Sequence, residues 1–343
     1  MSEPKPQGKR GIRLEDLAAL AQVSTATVSR ALNDSPLVRD DTKRRIWMLA
    51  RQHHYPFRPQ MPAMLSRAAT TIAIAIPTPL GKSGSLADPF FMELIGGVGE
   101  AAREAECDIV ISHVTPKNFD DLSEIIETSR AEGVIFLGQS FLHERFNRLT
   151  QTKNRFVVWG GDLPGQRYCS VGSDNIRGGR RATSHLLRLG RKRIAFFGDT
   201  DAAEIMQRYT GYLDALEEAG VTPDPQLIAP VHFEVESAED AVERLIAQGA
   251  KFDAIFGASD LVALGAIRGL IRHGRRVPED VSVVGYDNVL LARYSHPALT
   301  TISQDMAKAG RLLVSKLMNS QGDQDVRSER LPTELIVRES CGA

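Results

Sequence analysis

The chain has 343 residues, 42% hydrophobic and 25% charged, enough for two or three compact units with real cores. Three scattered cysteines, Cys107, Cys169 and Cys341, exclude a disulfide framework and show no metal-ligand spacing, and a polar, basic N-terminus with no membrane-length apolar run predicts a cytoplasmic protein. The net charge of −1 conceals a split, because residues 1–67 hold twelve Lys or Arg against six Asp or Glu while the remainder holds thirty against thirty-seven, as suits a small phosphate-contacting module ahead of an acidic body.

Residues 1–11 read as a basic, disordered arm. Over 14–33, Leu14, Leu17, Ala18 and Ala21 recur at helical spacing, Gln22 and Val23 interrupt, and Val28, Ala31 and Leu32 share one face of a second run, which predicts two short helices with a tight joint. Ser24 stands at the N-cap of the second helix, where its hydroxyl can accept an orphan backbone N–H. Thr25, Ala26, Thr27, Ser29 and Arg30 then lie on the outer surface, small or hydroxylated apart from one guanidinium, which suits a helix pressed against a duplex. An ordinary helical hairpin is the competing reading, and the basic neighbourhood favours DNA. A third helix over 40–54 covers the first two with Ile46, Leu49 and Ala50, and Tyr55 adds to that small core. His53 and His54 have no partner ligand nearby in sequence, so no metal site is assigned. Pro56, Pro59 and Pro62 fall within seven residues and mark a linker.

From Thr71 the texture changes to apolar strands alternating with amphipathic helices. Strands are predicted at 72–76, 108–112, 133–137 and 156–159, with helices at 91–105, 119–131 and 142–152. A second series runs from a helix at 175–189 through strands at 193–197, near Ile228, at 253–256 and at 281–284, with helices ending at Ala219 and spanning 238–248 and 261–273. Nearly continuous apolar strands joined by helices imply parallel sheets covered on both faces, so the fold class is α/β: a three-helix head followed by two doubly wound lobes. A segment at 297–300, a helix carrying Met306, Ala309, Leu313 and Leu317, a polar connection at 319–328 and a strand at 334–337 complete the lobes and make their connections multiple. The expected units are a head at 1–57, a linker at 58–70 and a core at 71–343, with the first lobe at about 71–172 and 300–320 and the second at about 173–299 and 321–343. Ligands of such sheets sit beyond the carboxyl ends of the strands.

The residues at 14–33, Asp88-Pro89-Phe90-Phe91, Ser173-Asp174-Asn175 with Gly178-Gly179, Arg208 with Gly211, Ala258-Ser259-Asp260, the run from Pro278 to Asn288 and Pro297-Ala298-Leu299-Thr300 together resemble the lactose-repressor and purine-repressor family of bacterial transcription factors. The resemblance implies a homodimer with paired heads on a two-fold operator, and a core like that of periplasmic sugar-binding proteins. By position it assigns Thr25, Ala26 and Arg30 to base reading and Thr27, Ser29, Asn33 and Tyr55 to phosphate or backbone contacts, with Ser24 heading the same DNA-facing set. Arg30 can pair with a guanine edge, whereas Ala26 offers only apolar contact. Arg39 stands where the family has a capping Ser or Thr, leaving the cap to Asp40 or Asp41. The family's minor-groove wedge falls on Met64 or Leu65, although Pro62 would break the usual short helix there.

The resemblance also implies effector contacts at Phe90, Phe91, Gln139, Trp159, Asp162, Arg208, Asp260, Asp287 and Asn288: aromatic faces for C–H surface, with carboxylates, amides and a guanidinium for hydroxyl pairs. Structural alternatives stand beside several of them, lobe core for one of the phenylalanines, a helix cap for Asp260 and an interlobe loop for Asp287. No phosphate loop, HExxH or GxSxG occurs, so no catalytic residue, metal or cofactor is assigned. A sugar- or nucleotide-acting enzyme on the same architecture is the alternative. The expected partners are operator DNA, a small sugar-like effector and a second copy of the chain.

Overall fold

The computed structural model describes residues 13–32, 35, 37–53, 55, 70–77, 88–114, 122–123, 125–126, 131–139, 142–151, 155–320 and 327–343. The chain divides into two compact units, Met1–Ala69 and Thr70–Ala343.

In the first unit α1 (Leu14–Leu20), α2 (Thr25–Leu32) and α3 (Asp40–Gln52) close on a core of Leu17, Ala18, Ala21, Val28, Ala31, Leu32, Val38, Ile46 and Ala50, with Tyr55 packed at its margin. The joint between α1 and α2 turns through Gln22, whose φ is +50°. Ser24 caps α2 as expected: its Oγ accepts the Thr27 N–H at 3.1 Å. A contact the sequence did not announce is Arg45, whose guanidinium donates to the Ala21 carbonyl at 3.0 Å and so satisfies an orphan acceptor at the end of α1. At the start of α3, Asp41 accepts the Thr42 N–H at 2.7 Å.

The second unit contains two six-stranded sheets. The first comprises β1 (Thr70–Pro77), β2 (Cys107–Val114), β3 (Gly133–Leu137), β4 (Phe156–Trp159), β5 (Ser170–Ser173) and β11 (Glu329–Leu331) in the order β11-β5-β4-β3-β1-β2. The second comprises β6 (Ile194–Phe197), β7 (Ile228–Ala229), β8 (Ala254–Gly257), β9 (Ser282–Asp287), β10 (Thr300–Ser303) and β12 (Glu334–Ile336) in the order β12-β10-β9-β8-β6-β7. All described pairings are parallel except β12 on β10. The central strands are buried along their whole length, because helices cover both faces. Among those helices are α4 (Pro89–Glu104), α5 (His143–Leu149), α6 (Asn175–Arg188), α7 (Ala203–Glu218), α8 (Val235–Ala247), α9 (Asp260–Arg272), α10 (Leu290–Tyr294) and α11 (Met306–Asn319). Of the helix expected at 119–131, residues 122–123 and 125–126 are described and helical and Ala131 lies in a bend outside any helix; the rest lies outside the described residues. Among the described residues no helix is long and apolar enough to cross a membrane.

The chain passes between the sheets in a different pattern from the one expected. Thr300–Ser303, expected in the first lobe, pairs with β9 in the second sheet, Thr300 opposite Val284. Of residues 321–343, expected in the second lobe, Glu329–Leu331 pairs with β5 in the first. Crossings therefore follow β5, β10 and β11. The cause is visible in the packing: α11 buries Ala309, Leu313, Val314 and Leu317 in the first-lobe core with α4, which forces the chain across immediately after β10 and back again after β11.

Candidate functional site

On the head, the outer face of α2 presents Thr25, Ala26 and Arg30 exposed and Thr27 and Ser29 half-exposed. Ser24 Oγ lies 2.8 Å from Thr27 Oγ1, so the two hydroxyls are bonded to each other across the first turn. Tyr55 is half-buried, with its N–H on the Ala50 carbonyl at 2.9 Å. Asn33, Met64 and Leu65 lie outside the described residues.

In the core, the strand order of each sheet reverses between two neighbouring parallel strands, β1 and β3 in the first and β6 and β8 in the second, and ligand sites of open α/β sheets form beyond the strand ends at such points. The predicted residues gather at the ends of these and the adjoining strands. Phe90 and Phe91 start α4 after β1, with their ring centroids 5.4 Å apart and Phe90 6.1 Å from Trp159. Asp88 sets this corner by accepting the Phe90 N–H at 2.9 Å. Trp159 is itself part of the first-lobe core, and both phenylalanines pack partly against it, so the core role and a cleft-facing role meet in the same cluster. Gln139 follows β3 fully buried. It donates to Gln166 Oε1 at 3.1 Å and to the Tyr168 hydroxyl, while its own Oε1 has no partner among the described residues.

In the second lobe Arg208 is only 6% exposed. Its Nε donates to Asn175 Oδ1 at 2.9 Å and its Nη1 to the Ala258 carbonyl at 2.5 Å. The guanidinium lies over the Tyr286 ring at 3.7 Å, and Asp287 Oδ1 is 3.8 Å away. Glycines let α6 and α7 approach closely enough for this. A Cβ on Gly179 would meet the Arg208 carbonyl at 2.1 Å, and one on Gly211 would meet the Ile176 carbonyl at 1.9 Å. Asp287 and Asn288 both have positive φ, +118° and +62°, an uncommon backbone for non-glycine residues that turns the loop after β9 sharply. Asp287 is further held by Gln304 Nε2 at 2.6 Å, and Gln304 Oε1 accepts from the Ser173 hydroxyl of the first sheet. Asn288 is engaged by Ser303 and Arg338.

Asp260 is fully buried and does not act as the cap of α9. Ser259 caps that helix, accepting the Val262 N–H at 3.2 Å. The Asp260 carboxylate instead accepts the Val289 N–H at 2.8 Å and the Thr301 hydroxyl at 2.5 Å, fastening the loop that carries Asp287 and Asn288. Asp162 is exposed at the rim, 3.7 Å from Arg330. Its backbone carbonyl accepts Gln207 Nε2 at 2.6 Å, a hydrogen bond between the lobes, and a second runs from the Leu290 N–H to Glu93 Oε1 at 2.6 Å.

Sequence reasoning missed Glu204, Gln207, Gln304 and Arg330. Glu204 had a signal, since it sits one helical turn before Arg208 on the same face; Gln304 and Arg330 had none.

Burial dominates the electrostatics. It pushes Asp287 up to about 7, with Arg208 opposing the shift and Asp88 adding to it. Burial and then the neighbouring Asp287 charge raise Asp260, and burial raises Asp88 and Glu204 as well. The strand-end loops thus bring together aromatic faces, amides and carboxyl groups. Among the described residues no cluster of three or more His, Cys, Asp or Glu is placed to hold a metal ion.

Residues 13–56 match the bacterial regulatory proteins of the lacI family, and residues 183–341 match a periplasmic binding protein-like domain. The HTH-type transcriptional regulator CelR of Thermobifida fusca is 33% identical over 97% of this chain and 99% of its own length. The HTH-type transcriptional repressor CytR of Escherichia coli strain K12 is 30% identical over 96% of each. Among solved structures, a transcriptional regulator CelR–cellobiose complex superposes with a TM-score of 0.70 at 31% identity, covering 96% of this chain and 99% of the other.

Proposed function

This chain belongs to the lacI family of bacterial regulatory proteins, is a DNA-binding transcriptional regulator and not an enzyme, and from that premise we propose a repressor whose grip on its operator is set by a small sugar-like effector bound between the core lobes. In this reading the head, residues 1–57, reads the operator through Thr25, Ala26 and Arg30. Ser24, Thr27, Ser29, Asn33 and Tyr55 fix its register on the backbone, with Met64 or Leu65 of the 58–70 hinge at the minor groove. The core, residues 71–343, holds the effector between Phe90, Phe91, Trp159, Gln139 and Asp162 on one side and Arg208, Asp287 and Asn288 on the other. Asp260 supports the loop behind them.

The observation that carries the reading is the placement of an aromatic cluster on the first lobe and of the Arg208–Asp287–Gln304 network on the second at strand ends beside the points where strand order reverses, with Gln304 bonded to Ser173 of the first sheet. The cellobiose bound to the structural relative supports a carbohydrate. A homodimer is supported by apolar side chains left exposed on the core, Met92, Val110 and Ile111 in the first lobe and Leu290, Leu291 and Tyr294 in the second. A cytoplasmic location follows from the DNA partner.

Fluorescence anisotropy on duplexes selected from a random library tests the head. Binding should favour a palindrome over scrambled competitor, and Arg30→Ala should lose about 1–3 kcal/mol of discrimination at one base position in each half-site. A uniform loss on all sequences would remove Arg30 from base reading, and no palindrome preference under any sugar would overturn the repressor.

A further inference from the structure

We propose a second ligand site on the flank of the first lobe, apart from the effector loops: a polar cavity that receives a phosphate group, carried by a small metabolite or free. The cavity, of about 280 Å³, lies between α5 and the turn joining β4 to β5, and none of its lining residues belongs to the proposed effector site.

The turn reads Leu163-Pro164-Gly165-Gln166. Proline in its second place and glycine in its third fit a tight turn whose third residue needs positive φ. Gly165 has a φ of +74°, and the Gln166 N–H donates to the Leu163 carbonyl at 3.1 Å. Two side chains of α5 fasten this turn to the helix. Asn147 Oδ1 accepts the Arg167 N–H at 2.8 Å while its Nδ2 donates to the Gly165 carbonyl at 3.2 Å. The His143 ring stands between the Tyr168 hydroxyl at 3.0 Å and the Pro164 carbonyl at 3.2 Å, and Tyr168 is itself part of the lobe core. Helix and turn are therefore tied together before any ligand arrives, which spares binding the cost of ordering them.

Arg148 comes from α5 and Arg167 from the far side of the turn, both exposed and both lining the cavity. Among the described residues neither guanidinium has a hydrogen-bond or ion-pair partner, whereas Arg103, Arg155 and Arg330 of the same lobe each have a carboxylate beside them. The fold thus delivers two uncommitted guanidiniums from separate elements to one preformed cavity. Each presents its donors in a planar fork. A phosphate group carries close to two negative charges near neutral pH and three strong acceptor oxygens, so it can engage both forks, where a planar, singly charged carboxylate is satisfied by one. Glu144, the one acid among the described lining residues, opposes the two arginines and leaves the lining with a charge of +1. Its carboxylate and the Gln151 amide can bond the hydroxyls of an ester. Pro164 is the one apolar side chain in the lining, so an apolar ligand would have little to bury.

The test titrates the full chain with inorganic phosphate and with glycerol 3-phosphate by calorimetry, at about pH 7.5, where both are dianions, and at constant ionic strength, with glycerol as the uncharged control. Phosphate should bind and glycerol should not. Arg148→Gln and Arg167→Gln should each weaken phosphate binding about five-fold or more, and the double variant should abolish it. Both side chains are exposed, so melting temperatures should stay at the parental value. Arg177→Gln removes an exposed arginine of the second lobe and should leave phosphate affinity unchanged. An ester that binds more tightly than inorganic phosphate makes a phosphorylated metabolite the source; equal or reversed affinities make it free phosphate. Absence of binding by both probes, undiminished binding by the double variant, or an equal loss in Arg177→Gln overturns the site. Each of those results leaves the sensor reading intact, because the cavity and the effector loops have no residue in common.

Discussion

Asp287 combines a carboxylate beside a buried guanidinium, a left-handed backbone and a hydrogen bond from Gln304. Its folded pKa of about 7 lies above the ordinary 3.8, so between those values the native state keeps a proton that the unfolded chain has lost. Stability from this group is therefore gained as pH falls from about 7 toward 4 and lost as pH rises through 7. Asp260, raised in the same direction, adds to the same slope. Asp287→Asn should flatten part of it: melting temperatures at pH 6 and pH 8 should differ less in the variant than in the parent, and parallel slopes would remove Asp287 as the source. The residue types at Phe90, Phe91, Arg208 and Asp287 were legible because their motifs stand at predicted strand or helix ends. The role of Asp260 was not, because a carboxylate opening a helix looks the same in sequence whether it caps that helix or ties down a loop 29 positions away.

The element that matters most for the second lobe is the α6–α7 pair. Gly179 and Gly211 bring the two backbones to a distance that no side chain tolerates, and that approach sets where Arg208 emerges. Gly211→Val places atoms against the Ile176 carbonyl, and overpacking of this kind costs about 1–3 kcal/mol. Urea midpoints should fall accordingly, and effector affinity should fall with them because the guanidinium is displaced. A variant with parental stability and affinity would show that the helices separate freely. Helices with a strong apolar stripe were readable to within a few positions. The short strands Ser170–Ser173, Thr300–Ser303 and Glu329–Leu331 were not, since SVGS, TTIS and ERL carry no continuous apolar run and become strands only by lying beside a sheet edge already formed.

At the scale of the molecule, a chain that crosses between two sheets after β5, β10 and β11 has a multi-stranded hinge, which suits rotation of one lobe on the other better than separation. Glu93 with Leu290 and Asp162 with Gln207 are hydrogen bonds that such a rotation would make or break. If effector and operator bias the same two states, each changes the affinity of the other by one common factor, with a coupling of roughly 1–3 kcal/mol. Calorimetric effector titrations with and without a bound operator duplex should therefore differ five-fold or more, matched by the shift in operator affinity when effector is saturating. Equal effector affinities would leave a DNA-binding protein and a sugar-binding protein joined without communication.

Apolar periodicity alone determined that this chain is a small helical head followed by two series of buried parallel strands, because the side chains that must leave water recur at intervals only one kind of element can use. Charge counted along the chain set a basic head against an acidic body. The tertiary structure decided which strand joins which sheet, which acids lie buried beside which guanidinium and which of those cations are already engaged, for those facts depend on contacts between residues up to 169 positions apart that no local pattern encodes.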